Sequence, residues 1–344
     1  MQITISRKTT GPGVDGSGKI YAAAKTHRLG IVSPKALNPA RAAPKFTFMD
    51  KQKKTIGMVG VGLIGSAISE RLIAGGFPVL GWDVDANCMR TLSRLGGRAA
   101  PDAKTIFRSC KTVLLSLPSH HEVNQVLEAC DADLQPGLTI IDTTTGDPVS
   151  TEQVAEKLAA RGLSYLDATI SGNSAQVRTG AVALMVGGAR DTFDDCSDLF
   201  AAIGRQTFYT GPAGTGAKMK LVTNLVLGLN RAALAEGLAF AQSFGLDLSR
   251  TLEVMRGGGA YSRIMDTKGE RMINHDFTPD ARLSQHLKDV RLIVSIGQQA
   301  GLPMPLSAAH RAILEQAEAA GCGDLDNSAI ITVLSAAQAI GSKL

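Results

Sequence analysis

Thr55-Ile56-Gly57-Met58-Val59-Gly60-Val61-Gly62-Leu63-Ile64-Gly65-Ser66 decides the fold. An apolar run the length of one strand ends in G-x-G-x-x-G, and a helical stretch over 66–73 follows. In such a turn Gly60 makes the bend and Gly62 lets a pyrophosphate approach the backbone. Gly65 lets helix and strand pack closely, while Val61, Leu63 and Ile64 complete the loop. The open amides at the helix start bind phosphate. In a chain with 37 glycines the same letters also describe a plain tight turn. The strand before it, the helix after it, and Asp83 at the end of a second apolar run favour a dinucleotide site.

Further along, apolar runs over 79–82, 113–117, 138–141, around 165 and over 182–186 alternate with helical stretches. Such alternation predicts an α/β Rossmann domain with a parallel, doubly wound sheet. Beyond Thr210-Gly211-Pro212 no convincing strand remains, so an all-α domain is expected after it. The reading divides the chain into a basic extension over 1–54, an NAD-binding domain over 55–213 and a helical substrate and oligomerisation domain over 214–344. The first long helix, 216–243, is apolar on nearly every side and is expected to be buried all round. That predicts a homodimer or homotetramer sharing helices.

The whole chain has 344 residues, is 44% hydrophobic and carries a formal charge of +5. That composition excludes collagen, a coiled coil and a disulfide scaffold. Its basicity is local: residues 1–54 hold eleven Lys and Arg against Asp15 and Asp50, which is +9 and leaves −4 on the rest. Gly11, Pro12, Gly13, Pro34, Pro39 and Pro44 break any helix there. The segment reads as disordered and dispensable to the chemistry, with Met49 an alternative start. No apolar stretch is long enough for a membrane span. Five scattered cysteines without a C-x-x-C pair fit a reducing compartment, and a cytoplasmic location is expected. His120 and His121 lack a third ligand at suitable spacing, so no metal is expected and both read as exposed loop residues.

A dinucleotide oxidoreductase moves a proton with each hydride, which requires an ionisable group beside the nicotinamide. Lys220 is the best candidate. It lies one turn into the long helix, with Asn224 four residues on and so on the same face. Burial at a helix N-terminus depresses a lysine pKa toward neutrality. The alternative is that Lys218 and Lys220 are solvated lysines. Asp83 accepts bonds from both adenosine ribose hydroxyls and repels a 2′-phosphate, which favours NAD over NADP; it also reads as a turn residue. Trp82 beside it reads as packing near the adenine. Tyr261 and Arg263 border either the substrate or a hinge.

Together, Gly60-Val61-Gly62-Leu63-Ile64-Gly65, Ile141-Asp142-Thr143-Thr144-Thr145, Leu166-Asp167-Ala168-Thr169-Ile170-Ser171-Gly172, the segment 214–224 and Lys288-Asp289 resemble the signature set of the β-hydroxyacid dehydrogenases. The resemblance implies that Lys220 is the catalytic lysine, that Asn224 orients substrate, and that Ser171 and Gly172 hold the substrate carboxylate. It implies that Thr145 lies near the nicotinamide ribose and that Leu117-Pro118 passes under the cofactor. The resemblance further implies that Lys288 reaches toward the nicotinamide and that Asp289 fixes the helix that presents it. Two departures stand out: Thr169 where the family usually has Pro, and Asn173 where it has Gly. Asn173 either binds a further polar group of the substrate or narrows the pocket. Thr223 also stands where several members have an Asn.

The leading expectation is an NAD-dependent enzyme interconverting a short 3-hydroxy acid and its semialdehyde. One alternative is an imine reductase, against which Lys220 counts. Another is a non-catalytic NAD-binding scaffold whose basic extension contacts nucleic acid, though the core points to a small carboxylate-bearing partner instead.

Overall fold

A computed structural model describes residues 54–335. The expectations for the basic extension and for Met49 fall outside the described residues. The first half alternates as its periodicity requires: β1 (Ile56–Val59), α1 (Leu63–Ala74), β2 (Val79–Trp82), α2 (Ala86–Arg94), β3 (Arg98–Ala99), α3 (Ala103–Ser109), β4 (Thr112–Leu115), α4 (His120–Ala129), β5 (Thr139–Asp142), α5 (Pro148–Ala159) and β6 (Ser164–Ser171). All six strands are parallel and lie in the order β3-β2-β1-β4-β5-β6, the dinucleotide-binding order. All four residues of β1 are buried, as expected of a strand covered on both faces. One apolar cluster around Ile68, Leu114 and Phe200 and another around Ile106, Leu115 and Ile140 form the core of this half.

The sheet departs from the sequence reading at its far edge. After β6 comes the short α6 (Ser174–Arg178), and β7 (Ala183–Gly188) returns antiparallel to β6. The connection is too short to cross the sheet, so the strand turns back. Helices α7 (Arg190–Asp195) and α8 (Ser197–Ile203) then lead to β8 (Gln206–Gly211), parallel to β7. Two strands therefore run against the other six. β3 and β8 escaped the sequence reading because one has two residues and the other is mostly half-exposed.

From there the described chain is helical: α9 (Thr215–Ser243), α10 (Leu248–Gly257), α11 (Glu270–Ile273), α12 (Leu283–Gln299) and α13 (Pro305–Ala317), packed around Leu238, Leu252, Leu287 and Leu314. Helix α9 is rich in Ala and Leu and has no proline, which suits its 29 residues. In the single chain it is not buried all round: Val222 and Val226 are 58% and 52% exposed. His120 and His121 lie in the first turn of α4, behind the Ser119 cap, rather than in a loop.

Candidate active site

The glycine loop sits at the carboxyl end of β1, in the crevice where such sheets bind ligands. Gly60 has φ +90°, and a Cβ on Gly65 would meet the Gly60 carbonyl oxygen at 2.0 Å, so helix and strand approach only because both are glycine. A Cβ on Gly62 would meet no protein atom within 4 Å, and α1 begins without a side-chain cap. Space and open amides thus coincide where a pyrophosphate would bind. Asp83 accepts from the Val61 N–H at 2.6 Å and the Asp85 N–H at 2.9 Å. Each oxygen keeps a lone pair for a ribose hydroxyl.

The loops after β4 and β5 are tied together. The Leu117 N–H donates to Thr144 Oγ1 at 3.1 Å. Buried Asp142 accepts from the Thr144 N–H at 2.9 Å and the Tyr165 hydroxyl at 2.6 Å; burial raises its pKa against those bonds. Lys288, on α12, donates to the carbonyl oxygens of Pro118 and Thr145 at 3.0 and 2.9 Å. The helical half is thereby pinned over the cofactor crevice.

Asp167 went unnoticed in the sequence as an organising residue. Its carboxylate accepts from the N–H groups of Gly214 and Ala217 at 2.9 and 2.7 Å, anchoring the N-terminus of α9 on β6 with the sign the helix dipole favours. Burial raises its pKa to about 6, against those two bonds. The Thr169 hydroxyl donates to the Gly216 carbonyl oxygen at 3.0 Å, so the threonine in place of proline adds a second tie between β6 and α9.

Those ties place Lys220 beside the end of β6. Its Nζ donates to the Ile170 carbonyl oxygen at 2.5 Å, next to Ser171 and Gly172. Burial lowers its pKa, Asp289 pulls it back, and Lys288 lowers it further. Asn224 Nδ2 donates to Asp289 Oδ2 at 2.9 Å, and Lys288 Nζ lies 3.2 Å from Asp289 Oδ1. Asp289 is thus the hub of the site, and burial raises its pKa against the pull of Lys288 and Lys220. Asn224 gives one N–H of its amide to that hub, which fixes the side chain and leaves its second N–H and its Oδ1 on the cavity it lines.

Ser171, Gly172, Asn173, Lys220 and Asn224 line one cavity of about 610 Å³. Asn173 caps α6: its Oδ1 accepts from the Gln176 N–H at 2.8 Å, and its N–H donates to Gln176 Oε1 at 3.0 Å. Its presence in place of glycine therefore has a local structural reason. Arg263 also lines the cavity, whereas Tyr261 donates to Asp266 at 2.6 Å. Among the described residues no group of three or more His, Cys, Asp or Glu is placed to hold a metal ion.

Residues 55–211 match the family described as the NAD binding domain of 6-phosphogluconate dehydrogenase. Residues 214–334 match the family described as NAD-binding of NADP-dependent 3-hydroxyisobutyrate dehydrogenase. The chain belongs to the β-hydroxyacid dehydrogenase family. Its relatives in that family include the 2-hydroxy-3-oxopropionate reductase of Escherichia coli, 29% identical over 282 residues that cover 81% of this chain and 96% of the relative. The cytokine-like nuclear factor N-PAC of Mus musculus is 30% identical over 280 residues, 80% of this chain and 50% of that protein. The chain thus spans about half the length of the N-PAC proteins. A Mycobacterium tuberculosis 3-hydroxyisobutyrate dehydrogenase solved with L-serine superposes with a TM-score of 0.75 at 25% identity, covering 82% of this chain and 99% of that one.

Proposed function

We propose that the protein is an oxidoreductase that interconverts a short 3-hydroxy acid and its semialdehyde, with NAD preferred over NADP. The observation that carries this reading is the Lys220 ammonium, held against the end of β6 in a shared cavity with the Ser171-Gly172 loop. A bound nicotinamide supplies or accepts the hydride. Ser171 and Gly172 offer the hydroxyl and amides that hold the substrate carboxylate. With that group fixed, the carbonyl oxygen lies within reach of Lys220 Nζ. Lys220 gives it a proton as the carbon is reduced, and takes the hydroxyl proton in oxidation. A pKa lowered by burial suits both directions, because neither protonation state is held too tightly. Asp289 holds Asn224 and keeps Lys288 on the two cofactor loops, and so orients the proton relay.

The preference for NAD rests on Asp83, whose carboxylate is fixed by the glycine loop and would repel a 2′-phosphate. The exposed apolar side chains of α9 are the basis for a homodimer built on that helix. An imine reductase on the same architecture would not need Lys220. A second reading, a nucleotide-binding scaffold, draws on the likeness to proteins described as nuclear factors. It places nucleic-acid contact in residues 1–54. Strongly salt-dependent DNA or RNA binding that vanishes on deleting residues 1–48 supports it.

The test of the leading reading is a screen of small 3-hydroxy acids and semialdehydes with NAD and NADP. NAD-linked turnover on at least one is expected; none on any, with nucleotide bound, refutes it.

A further inference from the structure

Three turns beyond Lys220 on the same face of α9 lies Arg231, only 2% exposed and lining the same cavity. Its Nε and Nη1 are buried with no hydrogen-bond partner. Asp326 is the carboxylate whose charge reaches it, but Asp326 is already engaged. It accepts from Lys268 Nζ at 2.8 and 2.9 Å, from the N–H and hydroxyl of Ser328, and from the amides of Asp280 and Ala281. The other neighbours supply no negative charge. His286 and His310 pack at Gly228, where a Cβ would come within 2.7 Å of either ring. Burial and the Arg231 charge keep both rings neutral.

The imbalance extends along the wall. Lys220, Arg231, Arg205 and Arg263 line the cavity with Lys268, paired with Asp326, and Arg282, paired with Asp324, and the carboxylate among the lining residues is Asp289. A desolvated guanidinium without a partner is costly in a folded chain and marks a place where a ligand completes the bonding. At about 610 Å³ the cavity falls in the range, roughly 300–1,000 Å³, that suits drug-sized ligands. A three-carbon acid leaves much of it unfilled.

We propose that the substrate carries a second anionic group, a carboxylate or a phosphate-type oxyanion, which Arg231 binds while the first carboxylate rests on Ser171-Gly172. Such a molecule is elongated, because eleven steps of helix set the Lys220 and Arg231 backbones about 16 Å apart along the axis, a span that the long Arg231 side chain shortens as it tilts back toward the helix N-terminus. The guanidinium suits either oxyanion, since its fork can bind two oxygens at once. This inference rests on the reaction proposed above but replaces its short acid with a longer dianion, and the distal site is open to a separate binding test.

Calorimetry on the full chain saturated with NAD+ compares adipate with hexanoate and suberate with octanoate, pairs equal in carbon number that differ in the far carboxylate. At least one dicarboxylate is expected to bind tenfold or more tightly than its partner. Arg231→Leu should bring that ratio close to one, and Arg231→Lys should keep part of it. A monophosphonate analogue of the preferred length, 5-phosphonopentanoate for adipate or 7-phosphonoheptanoate for suberate, distinguishes the two oxyanions by whether it binds tighter or weaker than the dicarboxylate. NADH titration checks that each variant is folded. Without ligand, Arg231→Leu should melt no lower than wild type, since it removes an unpaired buried charge. Equal or absent binding of both members of each pair by the wild type, or a ratio preserved in Arg231→Leu, overturns the proposal. Binding without turnover on any semialdehyde would refute the reaction and leave the anion site standing. Turnover without a dianion preference would do the reverse.

Discussion

At the scale of single residues the site depends on where charge is buried. Asp83 is held by the Val61 amide, so Asp83→Ala is expected to raise KM for NAD and bring the NAD to NADP ratio of kcat/KM toward one. An unchanged ratio contradicts the assignment. His310 has its pKa lowered by burial and then by Arg231 to about 4. An unfolded histidine binds its proton from about pH 6.5 downward. Between pH 6.5 and 4 the unfolded chain therefore holds more protons, and stability falls as pH falls. The loss attributable to His310 is on the order of 3 kcal/mol. His310→Val should flatten that part of the curve of melting temperature against pH; an unaltered slope would show that the ring does not titrate this way. The meeting of Lys220, Asn224 and Ser171 at one cavity, and the place of Asp83 at the glycine loop, were legible because each belongs to a motif with fixed spacing. Asp167 was not: its work is done across 47 residues of sequence on the amide of Gly214, and no local pattern reveals that. The Arg231, His286 and His310 group was equally hidden, although Lys220, Asn224 and Arg231 share a helical face that the sequence does display.

Among elements, the junction of β1 and α1 tolerates least. A Cβ at Gly65 would press on the Gly60 carbonyl carbon and oxygen, so Gly65→Ala is expected to weaken NADH binding at least tenfold, measured by fluorescence titration. Binding at wild-type strength would mean the helix can move away without loss. The six parallel strands were readable because continuous apolar runs between helices have one simple arrangement. The reversal at β7 was not, since it depends on the shortness of the α6 connection rather than on any residue in the strand. Helix α9 was legible in length and type, but its surroundings were not. Its apolarity on many sides serves two purposes, a core within the chain and an exposed stripe including Val222 and Val226.

At the scale of the whole molecule, that stripe argues for assembly. Val222→Glu with Val226→Glu should shift sedimentation from dimer or larger to monomer; a wild-type monomer contradicts the dimer outright. Splitting the net charge matters here as well. Residues 55–344 carry −4, yet they turn inward a cavity lined by more Lys and Arg than carboxylates, so global charge says little about what the site binds. The two halves act as one device: α9 brings Lys220 to the end of β6, and α12 brings Lys288 to the loops after β4 and β5. The claim at the centre of this arrangement is that Lys220 moves the proton. NADH-linked reduction of the best semialdehyde, followed from pH 5 to pH 10 in wild type and Lys220→Met, tests it most directly. The wild-type rate should fall above a midpoint lying below the ordinary lysine value, and Lys220→Met should lose about 10²- to 10⁴-fold in kcat while still binding NADH. A Lys220→Met enzyme with wild-type kcat and the same alkaline limb would contradict it.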